Sequence, residues 1–539
     1  MASLDPQRQR TMGLPRRFRY VAVLVSVLVS TAVFALYTLS TPQRVHRITD
    51  KLNTHTSGGD TGPKQTSASG TAPANSGEEF SDEDSYVDLK SPYTLDYDDE
   101  EDDPSLYIPD RGDYREIFSL TTVDRKYFPI YWAGDEAYNP NVIPHPTKHD
   151  MWIVVAQHEQ SKETIDISGE LICEAGFLNG VLVCGDAPTI LPIAPSITGV
   201  CEGDLAYMNF RFGPRDARMF YGPSGPMIMY GTQSQYTCLG IWIQDVRMLL
   251  DSFRLERFAL SKLFTSATEV RRPAPWKGIE KNFFIFWDLQ GKAYAHYDLS
   301  PRVFAELDFN GAVGEDLAPK TASDDSACMA QYMPYVGPEQ ESIHQATNSL
   351  SITLCKRADP KCKPTESNTF VMHIFQHKSY YTFHGIYEPY VLLFQQTAPF
   401  AVHGISQRPL WIHGRNALSK DTHSLQYEGR PETDIPEGHT EMFYVTSMSW
   451  KGHDQKYHGY LDDTLLLAFG IEDTRSGAID VKAGDILQDI AFYMLQLVGH
   501  DTAVSYLFAS KLNGSMYVET FDIEIQSAVE IDAICGDTA

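Results

Sequence analysis

"FGPRDARMFYGPSGPMIMYGT", residues 212–232, holds two apolar runs separated by Gly222-Pro223-Ser224-Gly225-Pro226. Short apolar runs joined by Gly, Pro and Ser read as a β-hairpin. Its first strand opens on Arg215-Asp216-Ala217-Arg218, charges that must be hydrated or paired where a strand should be entering a core. The hairpin therefore starts at a polar place.

The same grammar recurs outward from it. "MWIVVAQHE" (151–159), "NFFIFWDLQGKAYAHYDL" (282–299), "YVLLFQQTAPFAVHGI" (390–405) and "TLLLAFGIEDTRSGAID" (464–480) are β-rich segments punctuated by turn residues, and Asn179-Gly180 marks a further hairpin. Helical spacing appears in 242–258 and 483–498, but neither segment alternates with strands, so a βαβ architecture is not expected. An all-β fold is expected. Roughly 420 residues of hairpins, with charges recurring near strand starts, suit a β-propeller whose strand ends converge on a funnel; a large sandwich or jelly roll is the alternative.

Ahead of this region, residues 20–39 are uncharged and apolar, and about 20 such residues cross a bilayer as a helix. A cleaved signal peptide competes, but the run exceeds a typical h-region and no clear small-x-small site closes it. Five arginines precede it against Asp5 alone, which predicts a cytosolic tail at 1–19, a signal-anchor at 20–39, and everything later on the far side of the membrane. All eight cysteines lie on that side, where disulfides persist. Cys355 and Cys362 flank a short loop and could pair locally, and no C-x-x-C pair argues for zinc.

Residues 40–115 read as a disordered acidic stem. Fourteen acids against one Lys between Glu78 and Asp110 account for −13 of the chain's net −27, so the acidity belongs in large part to a tether. An interaction segment is the competing reading. No nucleic-acid partner is expected. Residues 116–539 form the expected propeller, with a glycosylation sequon at Asn513-Gly514-Ser515.

Four clusters could carry chemistry: Arg215-Asp216-Ala217-Arg218, Glu280-Lys281-Asn282, His413-Gly414-Arg415 and Glu472-Asp473-Thr474-Arg475. Each taken singly reads most simply as a strand-end ion pair. Recurrence favours a shared cavity in which a carboxylate moves a proton, cations hold phosphate and Asn or His binds hydroxyls. His384 and His403, each before Gly, read as turn histidines. The aromatics of "NFFIFW" read as core, and Trp276 as the better sugar-stacking residue.

"RDARMF", "GIEKNFFIFWDLQGKAYAHYDLSPRVFAEL", "RPLWIHGR" and "LLLAFGIEDTRSGAIDV" together resemble the fungal β-mannosyltransferases over most of residues 115–500. More faintly, they resemble the mannoside phosphorylases, five-bladed propellers with Asp-Pro-Arg and Glu-Lys-Asn strand starts. The resemblance implies a five-bladed β-propeller and a Golgi type II membrane glycosyltransferase. Its donor would be GDP-mannose, and its acceptor a mannan oligosaccharide or glycolipid. On this reading Asp216 is the catalytic base, while Arg218, Glu280, Lys281, Asn282, His413, Arg415, Asp473 and Arg475 bind substrate. Ala217 stands where the phosphorylases carry Pro. No cofactor or metal ligand set is expected, and a divalent-metal requirement stays open. The alternatives are a β-mannoside phosphorylase or hydrolase on the same fold, or a non-catalytic glycan-binding propeller.

Overall fold

The computed structural model describes residues 111–162, 165–258, 263–338, 340–381, 384–418, 439–492, 504–512 and 515–523. They lie in one compact unit, Asp98–Ala539. The expected tail, the membrane span and nearly all of the stem fall outside the described residues, as do Asn513, Gly514 and Cys535. Among the described residues no helix is long and apolar enough to cross a membrane.

The chain is mostly β, built from successive antiparallel meanders. Tyr138–Pro144, Trp152–Lys162, Ile165–Leu178 and Val181–Cys184 make the first. The quoted hairpin begins the second: Arg215–Gly222, Gly225–Gln233, Leu239–Asp245 and Thr268–Val270. Phe284–Trp287, Ala293–Leu299 and Arg302–Glu306 make the third. Glu341–Thr353, Thr369–Tyr381, His384–Gln395 and Val402–Ser406 make the fourth, and Phe443–Trp450, Thr464–Ile471 and Arg475–Lys482 follow. Residues 128–131 join the two ends. Phe128 and Pro129 pair antiparallel with Ala478 and Gly477, while Ile130 and Tyr131 run parallel to Leu182 and Val183.

The meanders pack face to face, which explains why their strands read as unbroken apolar runs. In Thr464–Ile471, Leu465, Leu467 and Phe469 enter one cluster while Leu466 and Ala468 enter another shared with Val154 and Leu171. In the quoted hairpin, Met219, Tyr221, Ile228 and Tyr230 pack against the first meander, and Phe220, Met227 and Met229 face the opposite way. "NFFIFW" splits likewise, with Phe284 and Phe286 on one side and Phe283, Ile285 and Trp287 on the other. Period-two alternation is hidden because both faces are dry.

Neighbouring first strands are stitched by buried amides. Asn141 Nδ2 donates to Ala217 O at 2.8 Å and its Oδ1 accepts from Met219 N at 3.1 Å. Asn348 treats Met448 O and N the same way, at 2.9 and 3.1 Å. Each amide replaces a missing ladder between strands of different meanders. Asn141→Ala leaves a buried N–H and C=O without these partners, and one such loss costs about 1–3 kcal/mol. Chemical denaturation should show about 2 kcal/mol less stability; a change under about 0.5 kcal/mol would refute the stitching role, since surface substitutions stay within that range.

Two helix expectations are corrected. Trp242 belongs to strand Leu239–Asp245, and 246–258 breaks into short 3₁₀ turns, Val246–Met248, Asp251–Phe253 and Leu255–Phe258. The apolar spacing is real, since Val246 and Phe253 are buried, but Asp245 and Arg247 are locked together at 2.7 Å and end the segment's regular course. At 483–498 only Ala483–Ile486 is helical; 487–489 turn, Ile490–Phe492 pairs as a strand with 404–406, and 493–498 lie outside the described residues. Disulfides join Cys173 to Cys184, Cys201 to Cys238, and Cys355 to Cys362.

Candidate functional site

The first strands of several meanders pack against one another. Asn139, Asp216, Lys281-Asn282, His344 and Tyr444 all sit at or just before the start of such a strand. Lys378 and Tyr387 face each other across the second and third strands of the fourth meander, three pairs from the closing pair of Tyr381 and His384, and Asp473 lies in the turn before Arg475–Lys482. Strand direction thus collects these side chains at one end of the structure.

Asp216 is solvent-exposed in a left-handed conformation, φ 51°, and its N–H donates to Gln157 Oε1 at 2.9 Å. Left-handed backbone at Asp216, Asn282, Glu472 and Asp473 turns successive side chains out of the ladder alternation. Asp473 is also accessible, yet it is flanked by enough protein that burial raises its carboxyl, with the Asp216 charge adding to the rise and a hydrogen bond to Asn139 and the Lys378 charge opposing it. Beneath them Glu170 is fully buried; desolvation first, then Asp216, pushes its carboxyl well above the usual range. Three acids therefore share one neighbourhood.

Cations face them. Burial and then Lys281 pull the Lys378 ammonium below the ordinary lysine range, against the pull of Asp473. Burial, Lys281 and Lys378 together hold His344 down at about 4, so it is neutral at pH 7. Asn282 Nδ2 donates to His344 Nδ1 at 3.2 Å, which leaves the ring proton on Nε2, 2.9 Å from Ser342 Oγ. Tyr387 and Tyr444 meet edge to face at 4.8 Å. Burial raises both phenols, and Asp216 adds to each, so both stay protonated donors.

Arg218 lies deeper. Its Nε donates to Ala346 O at 2.9 Å and its Nη1 to Asp216 O and Ala217 O at 2.9 and 3.0 Å. Its charge reaches the site through the Tyr444 ring, 5.8 Å away. Glu280 is taken by Arg272 at 2.6 and 2.9 Å and by the Lys277 N–H, so it shapes the loop ahead of Lys281.

The remaining predicted residues form a separate ion-pair group. His413 bonds Glu116 at 2.8 Å, Arg415 reaches Glu388 at 3.3 Å, and Arg475 holds Glu441 at 2.7 Å. The expected turn histidines are corrected: His384 opens strand His384–Gln395, buried between Glu472 and His439, and His403 lies in strand Val402–Ser406, stacked on Phe370. Sequence reasoning missed Lys378, Tyr387, Tyr444, His344 and Glu170. All five sit within regular strands, where no turn or strand-end signal marks them.

A cavity of about 750 Å³ opens beside this group, lined among others by Arg272, Lys281, Asn282, Tyr297, Asp298 and His344. Lys281, Asn282 and His344 belong to both. Among the described residues no group of three His, Cys, Asp or Glu is arranged to hold a metal ion.

No family model matches this chain, and no curated protein matches it. Solved structures do. A β-1,2-mannobiose phosphorylase from Listeria innocua, in complex with β-1,2-mannobiose, is 11% identical, covering 71% of this chain and 98% of its own, with a TM-score of 0.36. An α-L-arabinofuranosidase from Lactobacillus brevis is 11% identical over 68% of this chain and 94% of its own, with a TM-score of 0.32. An exo-β-1,3-galactanase from Clostridium thermocellum is 9% identical over 75% of this chain and 76% of its own, with a TM-score of 0.30.

The expected mannosyltransferase is thereby corrected. The similar structures are a phosphorylase and glycoside hydrolases, and no glycosyltransferase is among those described. GDP-mannose as donor is set aside with it, while the expected membrane span at 20–39 lies outside the described residues.

Proposed function

We propose that this chain is a β-mannoside phosphorylase, its meanders being the blades of a five-bladed propeller and residues 116–539 its catalytic domain. The carrying observation is the pairing of Lys281 with Lys378 beside neutral His344, opposite two accessible acids, Asp216 and Asp473. Burial first, and then the Lys281 charge, depress Lys378, and two such cations together make a site for an anion. Phosphate fits it. A phosphate oxygen bonds to the anomeric carbon as the glycosidic C–O bond breaks, and the leaving oxygen takes a proton from Asp216. Dihydrogen phosphate returns that proton. Asp473, Tyr387, Tyr444 and Asn282 hold sugar hydroxyls. Support for mannose comes from the "RDAR" and "EKN" resemblance.

The test is the full-length chain incubated with a β-mannoside, with and without phosphate. Phosphate-dependent release of mannose 1-phosphate supports the reading. Phosphate-independent release of free mannose would instead favour a hydrolase, using Asp216 and Asp473 as the acid and base pair.

Lys281→Met should raise the KM for phosphate about tenfold or more, because a hydrogen bond to a charged group contributes about 1.5–3 kcal/mol. An unchanged KM would remove Lys281 from the anion site. The pH dependence follows in sign: Lys378 holds phosphate only when protonated, so affinity is present below its depressed pKa and lost as pH rises through it. The loss should begin below the ordinary lysine value of 10.5.

A further inference from the structure

A second, smaller hollow adjoins the cavity beside Lys281. It shares Arg272, Glu280 and Phe283 with that cavity and is lined by Tyr236 and Trp276. These two aromatics are 41% and 45% exposed, and they pack together at 5.5 Å. Both are held in place. Trp276 Nε1 donates to Arg272 O at 2.9 Å, and Tyr236 Oη accepts from Arg271 Nη1 at 2.8 Å.

We propose that the cavity and the Trp276–Tyr236 pair form one track for the sugar units beyond the cleaved linkage, so that the substrate is an oligosaccharide longer than a disaccharide. This rests on the reading of the site as glycoside-cleaving. A volume of about 750 Å³ lies within the about 300–1,000 Å³ range of ligand pockets and exceeds what one sugar ring beyond Lys281 fills. The lining alternates Arg272, Glu280 and Asp298 with Tyr297, which presents both donors and acceptors to hydroxyls and a ring face to C–H bonds. Trp276 and Tyr236 extend that surface outward. Because they are already fixed, binding a sugar on them orders little further.

The test compares kcat/KM for β-linked mannobiose and mannotetraose in the wild type, Trp276→Ala and Tyr236→Ala, alongside calorimetric binding of mannotetraose. Trp276 is exposed, so the variant keeps its fold. The tetraose-to-biose ratio should fall about threefold to tenfold in Trp276→Ala, the range of an aromatic contact, with tetraose affinity falling in parallel. An unchanged ratio together with unchanged affinity overturns the track. If no mannoside is cleaved but Trp276→Ala still weakens tetraose binding, the track stands and the phosphorylase reading fails.

Discussion

Asp216→Asn is expected to lower turnover of a β-mannoside by about 10² to 10⁴, the range that a positioned acid or base contributes, while leaving phosphate binding in place. The substitution is chosen for the backbone. Asp216 holds φ 51°, a conformation Asn adopts readily and Ala does not, so Ala would add strain and confuse the result. The contact to Gln157 runs through the main-chain N–H and survives the change, as do the Arg218 bonds to the Asp216 and Ala217 carbonyls. What disappears is the titrating group. Phosphate is assigned to Lys281 and Lys378, so its KM should move little. A folded Asp216→Asn protein with near wild-type turnover would reduce the residue to a strand-end charge, and the proposed chemistry would need another acid.

The largest expected stability effect lies at the other end of the quoted hairpin. Asp245 and Arg247 are fully buried and joined by Nε to Oδ1 at 2.9 Å and Nη2 to Oδ2 at 2.7 Å. The guanidinium lies against the hairpin turn so closely that a Cβ on Gly225 would stand 2.8 Å from its Cζ. Arg247→Met leaves a buried carboxylate uncompensated, which costs about 3–5 kcal/mol. The urea midpoint should fall with little change in slope. Asp245→Leu combined with Arg247→Met should recover a large part of that loss, because an apolar pair carries no desolvation cost. A loss below about 1 kcal/mol for the single variant would mean that the pair is hydrated in solution.

The strands were legible where local chemistry decides them. Asn179-Gly180 makes its two-residue turn, with φ 50° and 79°, and Gly222 pairs Gly225 across Pro223-Ser224 as the quoted stretch implies. The segment 242–258 was not legible, because its apolar spacing is satisfied by separate turns that each bury one or two residues. Helix Ala322–Tyr332 gave no signal either, since its exposed face is polar and it docks through Cys328 and Met329.

Sequence by itself determined the β character, the hairpins and the charged strand starts that bear Asp216, Lys281, Asn282 and Asp473. Local rules suffice there, because a turn residue or an unbroken apolar run acts within a few positions of itself. Tertiary structure alone decided which charges meet. Lys378 and Asp473 are 95 residues apart in sequence (473 − 378) and yet interact, while Arg475, two residues from Asp473, is spent on Glu441. The reason is electrostatic: interaction between charges depends on separation in space and on how much water lies between them, and neither is encoded by position along the chain.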